Sequence, residues 1–273
     1  MSGGWLLTLR ERPPLPVEVG ALNPEALADS SVAELERMPL ALGRRSISLA
    51  ELFRVEGRPG PRLVLAGDCE RLDGIGRGLS SGLIVVEGDA GHETAAGQSS
   101  GQVQILGSVR DHAAMGMRGG LLEIGGHAGA YLGAPPPGER LGMRGGLVTV
   151  GGNVGERAGD RMRRGMIFVA GDAGAACGAR MVAGTIAVAG RLGPLPGLRM
   201  RRGTIVAART SEGVPDTFAE TGRAELTILR LLARRLGPAA PWLERLLSST
   251  PPSRAAGDLA VDGKGEIILL GEI

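Results

Sequence analysis

The sequence predicts an all-β core wound as a right-handed parallel β-helix, a single-stranded solenoid with repeats of about 19 residues. Three observations predict it. Glycine opens seven successive apolar stretches at fixed spacing, each stretch alternates with period two, and further glycines recur in columns between them. The opening glycines are Gly82, Gly101, Gly120, Gly146, Gly165, Gly184 and Gly203, in steps of 19, 19, 26, 19, 19 and 19. The long step holds a proline-rich insertion, "GAPPPGERL", starting at Gly133.

Two residues after each opening glycine stand Ile84, Val103, Leu122, Val148, Ile167, Ile186 and Ile205. Four after it stand Val86, Ile105, Ile124, Val150, Val169, Val188 and Ala207, with varied residues between. Each repeat therefore holds one short strand with a fixed inward face. Leu63, Leu65 and Gly67 read as an earlier repeat. Gly67, Gly88, Gly107, Gly126, Gly152, Gly171 and Gly190 form one further column; Gly91, Gly129, Gly155, Gly174 and Gly193 a second; Gly133, Gly159, Gly178 and Gly197 a third. Glycine at fixed offsets suits recurrent tight corners at positive φ.

The flanks differ, which divides the chain into an N-terminal cap at 1–60, the β-helix at 61–210 and a C-terminal region at 211–273. The cap reads as a strand in "WLLTLRE", a helix over "NPEALADSSVAELERM" opened by Asn23 and Pro24, and a strand in "RSISLAELF". Beyond the repeats, "TFAETGRAELTILRLLARRL" and "PWLERLLSS" carry helical periodicity, and "GDLAVDGKGEIILLGEI" reads as a turn and a strand. Both flanks are expected to cover the open ends of the solenoid or to dock a partner.

Composition narrows the function. Aromatics are 2% of the chain, so the core is aliphatic, and there is no strict triplet of glycine to suggest collagen. Cys69 and Cys177 are far apart and in no metal-type spacing, which suits a reducing, cytoplasmic setting. No apolar run is long enough for a membrane span, and "MSGGWLLTLRERPPLP" lacks the apolar core expected ahead of a cleavage site. Between Gly101 and Thr210 there are 14 arginines, no lysine and six acids, a net +8.

Those arginines keep the period. Met117, Met143, Met162, Met181 and Met200 recur one per repeat and read as core filling. Beside them Arg118, Arg144, Arg163 and Arg201 form one column, broken by Val182, and Arg161, Arg180 and Arg199 form another. Three readings stay open. The guanidinium groups fan into water and pair with acids such as Glu156 and Asp160; they match a linear polyanion carboxylate by carboxylate; or they meet an acidic protein face. Nucleic acid fits poorly, because stacking platforms and known binding motifs are missing. No catalytic or metal-binding residue emerges: His92, His112 and His127 occupy unequal places in the repeat, Ser99 and Ser100 have no local activating partner, and no phosphate-loop motif is present.

The tandem G-x-x-G-x-x-x-G repeats resemble the β-helix shared by the C-terminal domain of the glutamate synthase large subunit and by the C subunit of formylmethanofuran dehydrogenases. The R-M-x-x-G-x-I-x-V-x-G repeats and the ending "GDLAVDGKGEIILL" are most similar to the C subunit of the bacterial formyltransferase/hydrolase complex, over roughly Leu6 to the C-terminus. That resemblance implies a non-catalytic structural component in one-carbon metabolism, beside the formyltransferase (D) subunit, the hydrolase (A) subunit and the B subunit. The complex would move formyl from formyl-tetrahydromethanopterin to methylofuran and release it as formate. Such a carrier bears an oligoglutamate tail, a linear polycarboxylate that the arginine columns would suit. The C subunit of a molybdenum- or tungsten-dependent formylmethanofuran dehydrogenase and a stand-alone polyanion-binding solenoid are the alternatives.

Overall fold

The computed structural model describes residues 3–223, 227–236 and 252–271. In chain order these hold β1 (Gly4–Leu9), β2 (Val17–Glu18), α1 (Val32–Arg37), β3 (Pro39–Leu42), β4 (Arg45–Ser48), α2 (Leu49–Leu52), β5 (Phe53–Arg58), β6 (Arg62–Ala66) and β7 (Leu72–Asp73). The repeat strands follow as β8 (Leu83–Val86), β9 (Gln102–Ile105), β10 (Leu121–Ile124), β11 (Arg144–Val150), β12 (Arg164–Val169), β13 (Thr185–Leu192) and β14 (Thr204–Thr210). The chain ends with β15 (Ala219–Arg223), α3 (Thr227–Leu236), β16 (Ser253–Gly257) and β17 (Gly265–Leu269).

The described residues are mostly β, with few helices and one long, largely parallel sheet of 13 strands, ordered β15-β16-β17-β14-β13-β12-β11-β10-β9-β8-β6-β1-β5. From β6 to β14 each repeat adds one parallel strand beside the last, an arrangement consistent with the predicted β-helix. A second parallel ladder links the same repeats one residue at a time, through Ala90, Val109, Ala128, Val154, Ala173 and Leu192. Antiparallel strands close both ends of the sheet: β5 on β1, and the pair β16 and β15 beyond β17. A small four-stranded sheet, β4-β3-β2-β7, stands beside the first end.

The predicted inward columns are the core. Ile84, Val103, Leu122, Val148, Ile167, Ile186 and Ile205 are all 0% exposed, and in-register pairing extends the column to Trp5 and Leu63 at one end and Ile267 at the other. The five column methionines are also fully buried. Four of them touch an opening glycine: a Cβ on Gly146, Gly165, Gly184 or Gly203 would lie 2.7 to 2.9 Å from the terminal methyl of Met117, Met143, Met162 or Met181 respectively. Methionine, flexible and unbranched, fills the space that the next repeat's glycine leaves. On the opposite face of the sheet a second cluster forms only near the C-terminal end, where Phe168, Ala187, Val206 and Ile268 are buried with Ala233 of α3.

Several expectations change. Residues 24–29 form turns, and α1 starts only at Val32, because Ser31 and Glu34 form the reciprocal capping pair: Glu34 N–H donates to Ser31 Oγ (3.3 Å) and Ser31 N–H to Glu34 Oε2 (2.8 Å). "RSISLAELF" is a strand that becomes the short helix α2 at Leu49, with Ser48 and Glu51 making the same kind of cap. Within the segment expected to be helical from Thr217, Ala219–Arg223 is strand β15, paired with β16, and Thr227–Leu236 is helix α3. The helix expected in "PWLERLLSS" lies outside the described residues.

The glycine columns also divide by cause. The opening and third columns do hold positive φ, as in Gly165 (+97°) and Gly178 (+70°). The first column, Gly67 apart, and the second do not. There the side chain is missing for space: a Cβ on Gly171 would meet Asn153 Oδ1 at 2.1 Å, and one on Gly91 would meet Asp73 Oδ1 at 2.3 Å.

Those acceptors form a stitched ladder up the repeats. The N–H of Ser108 donates to Asp89 Oδ1 (2.6 Å), that of His127 to Ser108 Oγ (3.0 Å), that of Asn153 to His127 Nδ1 (2.9 Å), that of Asp172 to Asn153 Oδ1 (2.9 Å) and that of Arg191 to Asp172 Oδ1 (2.7 Å). Each side chain satisfies a backbone donor that the turn leaves unpaired.

Burial pushes both thiols up to about 12, with Asp68 and Glu87 adding to the effect at Cys69. The unfolded chain releases these protons from about pH 9. Stability from the thiols is therefore full below that pH and is lost as pH rises from about 9 towards 12. Urea midpoints measured across that range should fall, and fall less in a Cys69→Ala/Cys177→Ala variant. Reaction of either native thiol with a disulfide reagent at pH 8, at the rate of a free cysteine, would contradict this.

Candidate functional site: an arginine-lined turn column

Each buried methionine holds the residues on either side of it at the surface turn. On its C-terminal side the backbone repeats one bond: N–H of Arg144, Arg163, Val182 and Arg201 donates to the carbonyl of Met117, Met143, Met162 and Met181, at 2.7, 2.9, 2.8 and 2.8 Å. Arg118, Arg144, Arg163 and Arg201 thus share one position in successive turns, interrupted by Val182. On the N-terminal side Arg161, Arg180 and Arg199 share another, all left-handed with φ of +51°, +54° and +56°. Earlier repeats put Gly97 and Gly116 at that position, also at positive φ. Arginine there costs local strain that glycine would avoid.

The seven candidate arginines are not equivalent. Arg180 grips Asp160 with both arms of its fork: Nε donates to Oδ1 at 2.9 Å and Nη2 to Oδ2. The Asp160 side chain is 4% exposed, and its hydrogen bond raises the Arg180 pKa above the ordinary arginine value. Arg144 Nη2 donates to Glu139 Oε2 at 3.0 Å across an exposed pair. Among the described residues Arg118, Arg161, Arg163, Arg199 and Arg201 make no ion pair; all but half-buried Arg161 are exposed. Of the two acids expected to pair, Asp160 does so, and Glu156 has no ion pair among the described residues.

Arg164 and Arg202, the second members of the "RMRR" doublets, join the same surface and are exposed. Arg164 lies opposite Arg144 in the strand register. The doublets are plain in the sequence, but only the three-dimensional turn reveals that both members face outward.

The three histidines differ in how the fold uses them, and His112 Nδ1 is buried without a hydrogen-bond partner. His127 accepts through Nδ1 in the ladder, so its proton sits on Nε2. His112 stacks on Tyr131, ring centroids 5.1 Å apart and 13° from parallel. Asp73 Oδ1 accepts from the His92 N–H at 2.8 Å. Among the described residues no group of three or more His, Cys, Asp or Glu side chains could hold a metal ion, and no helix is long and apolar enough to cross a membrane.

Fold and turn column together define a repeat-built, mostly β chain that presents guanidinium groups in register along one line of turns. Comparison with known proteins narrows this class. No family model matches the chain. Over 86 residues it is 43% identical to the C subunit of the formyltransferase/hydrolase complex Fhc of Methylorubrum extorquens, covering 31% of this chain and 32% of that protein. Over 97 residues it is 32% identical to the C subunit of the tungsten-containing formylmethanofuran dehydrogenase 2 of Methanothermobacter marburgensis, covering 34% and 36%. These alignments span about a third of the curated relatives' length. Similarity in three dimensions is far more extensive. One chain in the X-ray structure of the formyltransferase/hydrolase complex FhcABCD of M. extorquens, solved with methylofuran, matches with a TM-score of 0.91 and 37% identity, over 97% of this chain and 98% of that one. The chain belongs to the family of C subunits of the formyltransferase/hydrolase complex, related to the C subunits of formylmethanofuran dehydrogenases.

Proposed function

We propose that this chain is the non-catalytic structural component of a cytoplasmic formyltransferase/hydrolase complex, working beside the A, B and D subunits. The observation that carries this is the near full-length match to one chain of FhcABCD. That match also favours the bacterial complex over a dehydrogenase, whose C subunit is the less identical relative. A non-catalytic role fits the engagement of the His127 imidazole, the burial of both thiols and the pairing of the buried Asp160 carboxylate with Arg180. We further infer that the repeats wind as a right-handed β-helix, supported by the two parallel ladders that link the same repeats. The flanks at 1–60 and 211–273 serve as its caps.

The complex would transfer formyl from formyl-tetrahydromethanopterin to methylofuran and release formate. In that setting the arginine ladder Arg118, Arg144, Arg163 and Arg201, with Arg161 and Arg199, would hold the oligoglutamate tail of the carrier. Arg180 would act mainly as a structural member through Asp160. Successive strands stand about 4.8 Å apart, so a linear polycarboxylate can meet several guanidinium groups in turn. Each exposed pair contributes about 0.5–1 kcal/mol, so only several together hold a tail.

The test is co-expression with the A, B and D subunits and purification through this chain. The parent is expected to bring down all three partners with methylofuran. The triple variant Arg144→Gln/Arg163→Gln/Arg201→Gln should assemble yet bind the carrier about five- to thirtyfold more weakly, with a smaller salt dependence. Equal carrier retention and salt dependence would make the arginines a solvated face. Lost assembly with normal carrier binding in the remaining complex would assign them to an interface with a neighbouring protein.

A further inference from the structure

We propose that the proline-rich insertion carries a built-in competitor for the arginine ladder, the carboxylate of Glu139; this rests on the tail-binding reading above. The insertion leaves its repeat at the ladder itself. Gly142, which ends it, occupies the position of Arg161 one repeat on, and its N–H donates to the Arg161 carbonyl at 3.1 Å. Where the following repeats pass directly to an arginine, this one first runs through Pro135, Pro136, Pro137 and Glu139.

The segment is held in position. Pro136 lies against Gly116, where an added Cβ would come within 3.0 Å of its Cγ, and the Glu139 N–H donates to the Pro136 carbonyl at 3.0 Å. Consecutive prolines also restrict the conformations the segment can adopt. The Glu139 carboxylate is thus delivered to Arg144 Nη2 at 3.0 Å. Arg144 Nε is buried without a partner, so the terminal nitrogens are the end that an outside carboxylate can reach, and Glu139 takes one of the two, Nη2.

Exposure separates the two acids on the ladder. The Asp160 side chain is 4% exposed and fixed, whereas that of Glu139 is 48% exposed and can return to water. An arriving carboxylate displaces Glu139 from Arg144 in an even exchange of one ion pair for another, so this rung adds little net affinity while Glu139 is present. The insertion therefore weakens the grip on one segment of a tail, and keeps the rung satisfied when no tail is bound.

The probe is a fluorescently labelled pentaglutamate peptide, titrated by anisotropy at low salt onto the full chain. Glu139→Gln should tighten binding about two- to fivefold, the scale of one exposed pair. In an Arg144→Gln background the same change should do nothing. Melting temperatures of all variants should match their parents, which excludes a folding effect. Unchanged affinity in Glu139→Gln, or equal tightening in both backgrounds, overturns the proposal. Peptide binding that is lost in the triple arginine variant but indifferent to Glu139 overturns this inference alone. A parent chain that binds no pentaglutamate overturns it together with the tail-binding reading.

Discussion

Ile167→Asp is expected to prevent the chain from folding. Ile167 is 0% exposed and packs in register between Val148 and Ile186, with its Cδ1 lying 3.3 Å from where a Cβ on Gly133 would be. A carboxylate placed there has no partner, and its ionised form would cost many kcal/mol; even protonated it loses an aliphatic side chain and buries unsatisfied oxygens, several kcal/mol together. That is a large share of the roughly 5–15 kcal/mol by which a folded domain is stable. Circular dichroism and the soluble yield of the purified variant check it. Thr149, beside Phe168 on the opposite face and half-exposed, is the control: Thr149→Lys should change stability by only about 0.5 kcal/mol. A soluble Ile167→Asp chain with the parent's melting curve would mean that the inward face has been misassigned.

Arg180→Leu is expected to be the most destabilising single change among the ladder arginines. It leaves the nearly buried Asp160 carboxylate without its bidentate partner, a loss of about 3–5 kcal/mol for a fully buried pair. Arg180 itself is 37% exposed, so water screens part of this, and about 2–3 kcal/mol is the expected size. Adding Asp160→Asn removes the stranded charge and should recover part of the loss. By contrast Arg191→Leu, which breaks the exposed pair with Asp172 at 3.7 Å, should cost less than about 1 kcal/mol. Urea denaturation of the three variants reads all of these. A cost below about 0.5 kcal/mol for Arg180→Leu would remove the structural role assigned to it and return it to the group open to a ligand.

The periodic part of the fold is legible in the sequence because one physical constraint repeats. A strand that must bury one face shows it as alternation, and stacked repeats show it at the same offset each time, as Ile84 to Ile205 do. The flanks are harder to read. "TFAETGRAEL" has a plausible helical pattern, yet Ala219–Arg223 pairs with β16 because β16, once paired on β17, presents an edge that only the assembled sheet creates. Pro24 is a reasonable first-turn residue and draws the expected start of α1 too early, while the reciprocal Ser31–Glu34 cap decides the boundary. The stitched ladder has a sequence signal too, since Asp89, Ser108, His127, Asn153 and Asp172 each follow a column glycine. That signal is faint because the five share no residue type, only the ability to accept a hydrogen bond. In the candidate site the spacing of the arginines is plain, but the partners of Arg144 and Arg180 are not. An ion pair depends on side-chain reach and burial, which period alone does not encode.

The 26-residue repeat has a consequence for how such a chain can change its length. Its seven extra residues leave the sheet undisturbed: Leu121, Leu122, Glu123 and Ile124 still pair in order with Leu147, Val148, Thr149 and Val150. Growth inside a repeat therefore moves outward, at right angles to the stack, and alters what one rung displays. Growth by a whole repeat moves along the stack and advances everything beyond it by one strand spacing, about 4.8 Å. The long sheet is graduated in strands. Its two ends are separated by an integral number of divisions, while any single division can be lengthened sideways without disturbing the scale.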